Sequence, residues 1–298
     1  MVWSPSCARS ESLADPDVRP YAVGMGGSTG ASDAATCRFC GAELRLTVVD
    51  LGMSPLCESF LRADQIRTME PFYPLHVFAC ERCWLVQLEA FVPPEEIFTE
   101  YAYFSAYSTA WVEHAREYVE MIRTRLGLGP EDLVVELASN DGYLLQHFVG
   151  KGVPILGIDP AANVARVAEE RGVPTRVAFF GRETAQQLVS EGQRAKLVVG
   201  NNVLAQVPDL NDFVAGVEML LQEDGTATFE FPHLLRLLDG MQYDTIYHEH
   251  FSYFSLATIV EVFAAHGLEV YDVEELWTHG GSLRVYAQHA GGHAADHA

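Results

Sequence analysis

From Trp111 onward the hydrophobic positions switch between helical spacing and short unbroken runs. Trp111, Ala115, Tyr118, Ile122 and Leu126 recur at helical spacing, and Gly127 stands where a left-handed residue ends a helix. Apolar runs at 133–137, 155–158, 197–200 and 226–231 are strand candidates. Between the last two, Leu210, Phe213, Val214, Val217, Leu220 and Leu221 make one apolar helix face. Beyond Ser255 the pattern predicts a further helix, then strands near 268–273 and 283–287. Strands alternating with helices predict a parallel sheet covered on both faces, a doubly wound α/β fold.

Residues 1–33 lack this periodicity and are rich in Ser, Gly, Ala, Asp and Pro, so they are expected to be a disordered leader. Met25 offers an alternative start within it. Residues 291–298 are small and polar, the composition of a frayed tail. The expected division is a compact block over 34–93 and an α/β domain over 94–290. Apolar residues make up 49% of the 298, enough for a sizeable core. The 41 acidic residues outnumber the 19 basic ones, for a net charge of −22. Such a surface repels phosphate backbones and anionic lipid, which argues against nucleic acid or a membrane as partner. No apolar run has the length to cross a bilayer, and the N-terminus lacks the basic start and apolar middle of a signal peptide. The expectation is a cytoplasmic protein, whose six cysteines are metal ligands or free thiols rather than disulfides.

The spacing of four cysteines sharpens that. Cys37-Arg-Phe-Cys40 and Cys80-Glu-Arg-Cys83 are two CxxC pairs separated by 39 residues. Each pair converges on one ion from a tight turn, and two pairs complete a four-thiolate shell suited to structural Zn²⁺. Such a shell leaves no open position for water, so the metal would fold the block rather than catalyse. Two disulfides or four free thiols are the alternatives. Cys7 and Cys57 have no spacing partner.

Candidate cofactor residues sit at predicted strand ends. Over 134–145 the chain runs VVELASNDGYLL, a buried strand, a small polar turn, then a helix expected near Gly142. Glu136, Ala138, Asn140 and Gly142 are the candidates here, with Gly142 allowing a ligand close to the backbone. Asp159, at the end of the next strand, can accept hydrogen bonds from both hydroxyls of a ribose. The glycine pattern that cradles a pyrophosphate is absent, and Glu136 and Asp141 would repel one. They would tolerate a cationic sulfonium nucleoside. The alternative is that Asp141 and Asp159 merely cap helices. Asn201 and Asn202 follow the next strand, at the sheet edge where α/β folds bind ligands, or form a plain turn.

The stretch 243–255, YDTIYHEHFSYFS, gathers two His, one Glu and three Tyr. If extended, it puts His248 and His250 on one face and Tyr247 and Glu249 on the other. If turned, all can converge. A His is suited to proton removal at neutral pH. A second metal site or a polar surface cluster are the alternatives.

The CxxC pairs, VVELASNDGYLLQ, GIDP, VGNNVLAQVPDL, TIYHEHFSYFS and HGGSLRVY occur in an order that resembles the nucleotide-sugar C-methyltransferases acting on 4-keto-deoxyhexoses. The resemblance spans about 37–288. It implies a Rossmann-like methyltransferase sheet preceded by a zinc-binding module, with S-adenosylmethionine as cofactor and Zn²⁺ as a structural ion. It implies a small nucleotide-sugar substrate; the chain is expected to be a monomer. It places His250 as the base, Tyr247 and Glu249 along the sugar ring, and Tyr101 at the active site. The implied reaction removes the C3 proton, acidified by the 4-keto group, and methylates the enolate carbon. Family members carry a further α/β domain after this core, so the chain is expected to be a truncated frame or a shorter relative. An NAD-linked sugar-nucleotide oxidoreductase and a non-catalytic cofactor-binding fragment are the competing readings.

Overall fold

The computed structural model describes residues 35–292. The expected leader and residues 293–298 of the expected tail lie outside the described residues.

The first elements are β1 (Leu46–Ser54), β2 (Tyr73–Ala79) and β3 (Val86–Leu88), an antiparallel meander with one CxxC turn ahead of β1 and the other between β2 and β3. A five-residue helix α1 (Pro94–Phe98) leads into an irregular segment, then α2 (Thr109–Leu126). The side chain of Ser108 accepts a hydrogen bond from Trp111 N and starts α2; Gly127, at φ 62°, ends it as expected. Its buried face is Ala115, Tyr118, Val119 and Ile122.

The α/β part follows with β4 (Val134–Leu137), β5 (Ile155–Asp159), α3 (Ala162–Glu170), β6 (Thr175–Val177), α4 (Arg182–Ser190), β7 (Ala195–Asn201), α5 (Leu210–Leu220) and β8 (Leu221–Pro232). Then come α6 (Leu234–Gly240), β9 (Ser252–Tyr253), α7 (Leu256–Ala264), β10 (Leu268–Leu276) and β11 (Ser282–His289). The main sheet has the order β10-β11-β8-β7-β4-β5-β6. Its strands β8, β7, β4, β5 and β6 are mutually parallel, while β11 runs antiparallel to both neighbours. The strand order reverses at β4, so the crevice beyond the carboxyl ends of β4 and β7 is where this topology binds ligands. Each of the predicted strands is present. The predicted apolar face of α5 is buried, with the Asp209 side chain capping the helix by accepting from Asp212 N.

Two expectations change. No α-helix begins near Gly142. That residue takes φ 76°, which a right-handed helix cannot continue, and a short 3₁₀ turn over Leu145–His147 replaces the helix. The cysteine block is also not self-contained. β9, from the 243–255 stretch, pairs with β3 as the fourth strand of the small sheet. Cys37, Cys80, Cys83 and Leu85 pack in one continuous core with Phe254, Ile259 and Phe263. Arg38 donates from Nη1 to Pro208 O at 3.0 Å, and Asn211 donates to Phe39 O at 2.9 Å. Burying each large apolar side chain at this joint contributes roughly 1.5–3 kcal/mol. Among the described residues no helix is long and apolar enough to cross a membrane.

Candidate active site

The four cysteine sulfurs lie within 4.8 Å of one another. Cys37 Sγ–Cys83 Sγ and Cys40 Sγ–Cys80 Sγ are both 3.5 Å, far beyond the ~2.05 Å of a disulfide. Tetrahedral zinc with bonds of ~2.3 Å separates its sulfurs by about 3.8 Å, so the cluster fits the ion closely. Gly41, at φ 70°, makes the turn after the first pair, and its N–H donates to Cys37 O.

A cavity of about 310 Å³ opens at the carboxyl ends of β4, β5 and β7. Ala138, Asn140, Asp159, Asn201 and Asn202 line it. Asp159 accepts from Asn140 N through Oδ2 at 2.8 Å and from Ala161 N through Oδ1 at 2.9 Å. Burial outweighs these donors and pushes its carboxyl up to about 6. Each oxygen keeps a lone pair for a further donor. Both side-chain atoms of Asn201, and Oδ1 of Asn202, are buried with no hydrogen-bond partner in the protein. Such groups cost about 1–3 kcal/mol each until a ligand satisfies them. The cavity therefore suits a ligand with ribose-like hydroxyls and a polar tail.

Three other residues have different roles. Glu136 is buried beneath the turn and is not part of the cavity wall. Gly142 is likewise absent from the wall. A Cβ there would lie 3.1 Å from both Ala168 and Val173, so the glycine serves the packing of α3 rather than ligand approach. Asp141 is buried and paired with Arg171 at 2.9 Å, so it is not the repulsive charge that the sequence indicated.

A second cavity of about 440 Å³ adjoins the first. Tyr101, Tyr247, Glu249 and His250 all line it. Within the 243–255 stretch residues 247–250 are turned, not extended: His250 N donates to Tyr247 O at 2.9 Å, and only Ser252–Tyr253 is strand. The turn separates the two histidines. His248 meets Pro74 O at 3.1 Å on the small-sheet side, while His250 faces the cavity. His250 Nδ1 lies 2.9 Å from Thr245 O, which can only accept, so Nδ1 carries the hydrogen. Nε2 is then an acceptor, and the Tyr247 hydroxyl donates to it at 2.7 Å. Burial lowers the imidazole to about 4, so it is neutral near pH 7. Glu249 is held from both sides, by the Tyr101 hydroxyl at 3.0 Å and the Cys57 thiol at 3.1 Å.

The two cavities share five wall residues, Tyr101, Tyr103, Asn202, Gln206 and His279. This neck lies between a ligand in the first cavity and one in the second. Sequence reasoning missed Tyr103, Gln206 and His279 as site residues, and also Cys57 and Glu58, which line the second cavity from the loop between β1 and β2. Backbone conformation marks several of them. Seven described residues other than glycine have left-handed φ, and five of these, Glu58, Ala138, Asn140, Asn202 and His279, line the cavities. Strain of about 1–3 kcal/mol per such residue persists where function or packing demands it. Beneath the neck, buried Glu230 receives Thr278 Oγ1 at 2.8 Å and Arg284 Nη2 at 2.7 Å and pairs with His114 Nε2 at 2.9 Å. Burial would raise the Glu230 carboxyl, but these partners outweigh it and hold it below the usual range.

Known proteins share this plan. Residues 37–98 match a family described as a zinc binding domain. Residues 111–273 match the family described as a methyltransferase domain. The C-methyltransferase NovU of Streptomyces niveus is 41% identical over 261 residues, covering 88% of this chain and 61% of that protein. This chain thus spans about three fifths of that relative's length. The ubiquinone biosynthesis O-methyltransferase of Methylobacterium sp. (strain 4-46) is 35% identical over 95 residues, covering 29% of this chain and 37% of its own. Among solved structures, the PH0226 protein of Pyrococcus horikoshii OT3 superposes with a TM-score of 0.52 at 15% identity. It covers 67% of this chain and 99% of that one, a likeness of fold. With more than half its length matched by that family, and the strand order and crevice to go with the match, the chain belongs to the methyltransferase-domain family.

Proposed function

We propose that this protein transfers a methyl group from S-adenosylmethionine to carbon, C3 of a 4-keto-deoxysugar nucleotide. The observation that carries the reading is the Tyr247–His250 pair, which faces a cavity joined to the cofactor cavity by a five-residue neck. Its relation to a C-methyltransferase supports the choice of carbon over oxygen.

S-adenosylmethionine would supply an electrophilic methyl on a sulfonium. Asp159 would hold its ribose hydroxyls, and Asn201 and Asn202 its amino-acid end. In the acceptor cavity the Tyr247 hydroxyl turns from His250 to the 4-keto oxygen, which frees Nε2. His250 then takes the C3 proton, and the C–H electron pair moves into the C3–C4 bond as the carbonyl pair moves onto oxygen. The bound sulfonium would supply its methyl to the enolate carbon, with the sulfur leaving as the neutral thioether, while the proton stays on His250. Glu249, fixed by Tyr101 and Cys57, would accept a hydrogen bond from a sugar hydroxyl. Zn²⁺ at Cys37, Cys40, Cys80 and Cys83 would act on folding alone, closing the end of the β1–β2 hairpin opposite the loop with Cys57 and Glu58. We place the boundary between the zinc module and the catalytic domain at 93/94.

Calorimetric titration with S-adenosylhomocysteine, with NAD as control, tests the first half of this reading. Binding of S-adenosylhomocysteine alone is expected. Binding of NAD in its place would move the chain to the oxidoreductases.

A further inference from the structure

His279 has no role in the mechanism above, yet it stands in the neck, on the wall of both cavities. Its backbone is left-handed at φ 50° and ψ 37°, a conformation that costs a β-carbon residue about 1–2 kcal/mol. The turn that imposes it is tied down on each side. Thr278 donates to buried Glu230, Gln242 Nε2 donates to Gly280 O at 2.8 Å, and Ser282 donates to Thr278 O at 3.0 Å. The imidazole rests edge-on against Trp111, with centroids 5.0 Å apart. Its Nε2 lies 3.4 Å from Nδ2 of Asn202, itself left-handed at φ 56°. Neither nitrogen has another hydrogen-bond partner among the described residues. Two strained residues on two different turns thus bring two nitrogens to one spot in the neck. With its proton on Nδ1, His279 Nε2 accepts from Asn202 Nδ2; with its proton on Nε2 both nitrogens are donors, and an oxygen within reach of both can accept from the two together.

We propose that Asn202 Nδ2 and His279 Nε2 form a two-donor seat for the acceptor's carbonyl oxygen as it takes on enolate charge, which makes His279 a catalytic residue. The seat rests on the C-methylation reading. It divides the labour in the second cavity: His250 takes the proton from carbon, and the electron pair it leaves ends on an oxygen held by Asn202, His279 and the Tyr247 hydroxyl. Burial lowers the His279 imidazole, which keeps it a neutral donor near pH 7.

Hydrogen exchange separates this role from cofactor binding. In D₂O with S-adenosylhomocysteine present, the wild-type full chain should exchange the C3 hydrogen of a TDP-4-keto-6-deoxyhexose. His279→Ala should slow both exchange and methyl transfer by about 10²–10³-fold, the usual effect of losing one such donor. Its affinity for S-adenosylhomocysteine should stay unchanged. His279→Gln, which keeps an N–H near that reach, should recover part of the loss. Asn202→Ala, measured at saturating S-adenosylhomocysteine because Asn202 also lines the cofactor cavity, removes the other donor without touching the glycine turn and should slow exchange similarly. Exchange at the wild-type rate in both alanine variants overturns the seat and leaves the C-methylation reading intact. A loss confined to thermal stability or cofactor affinity assigns His279 to the scaffold and also overturns it. A wild-type chain that neither exchanges nor methylates overturns the underlying reading, and the seat with it.

Discussion

The two cavities are built differently. The first has a floor made by the ends of β4, β5 and β7 and the turns that follow them, neighbours fixed by the parallel sheet, with residues of the 94–111 segment and of 178–180 completing the wall. The second is assembled from six separate segments: the loop holding Cys57 and Glu58, Tyr101–Tyr103, Asn202–Gln206, Pro232 at the end of β8, the 243–250 turn and His279. A cofactor shared by many enzymes can sit on the invariant part of a fold. An acceptor has to be recognised by the variable loops.

That difference predicts unequal sensitivity. The largest effect should come from the metal. Purified protein should contain about one zinc per chain. Cys80→Ser, or stripping the ion with a chelator, should abolish methylation and lower the melting temperature, since Cys80 lies in the core shared with α7. A zinc-free protein with full activity would detach the cluster from the second cavity. Next comes His250→Ala, expected to cost about 10²–10⁴-fold in turnover, the range for a general base. Its affinity for S-adenosylhomocysteine should not change, because His250 is not in the first cavity's wall. Loss of both would mean that the cavities are one functional unit.

A pH series should separate them again. Asp159, raised to about 6 by burial, must ionise to accept ribose hydroxyls best, so bound cofactor favours the charged form. Cofactor affinity should then weaken as pH falls through about 6, with proton uptake on release. His250, lowered to about 4, must be neutral to act as base and stays so well below that. With cofactor saturating, turnover should hold until pH approaches about 4. A single acid limb common to affinity and turnover would contradict the division. The smallest effect is Tyr101→Phe, which removes one of the two donors to Glu249. It should raise KM for the acceptor by roughly threefold to tenfold, in line with about 0.5–1.5 kcal/mol for one hydrogen bond.

The same contrast explains what could be read in advance. The strands, α2 and α5 follow from periodicity and caps, because a sheet buried on both faces leaves unbroken apolar runs. The zinc ligands follow from doubled CxxC spacing. That Asp159 and the Asn pair line a cavity follows from their places at strand ends. Gly142 misled because a glycine that admits a neighbouring helix looks the same in sequence as one that admits a ligand. Asp141 misled because its partner, Arg171, lies 30 residues away. In the second cavity, Cys57 and Glu58 carry no local signal, since tertiary folding alone brings them beside Glu249. The HGG run around His279 was visible, but a strand-entry turn accounts for it equally well until the left-handed histidine is seen.

The most direct test is to incubate the protein with a TDP-4-keto-6-deoxyhexose and S-adenosylmethionine carrying a ¹³C-labelled methyl group, and to locate the label by NMR. The account predicts a new carbon–methyl signal coupled to C3 of the sugar, lost in His250→Ala. A label on oxygen or nitrogen, or a carbon–methyl product formed equally well by His250→Ala, would contradict it.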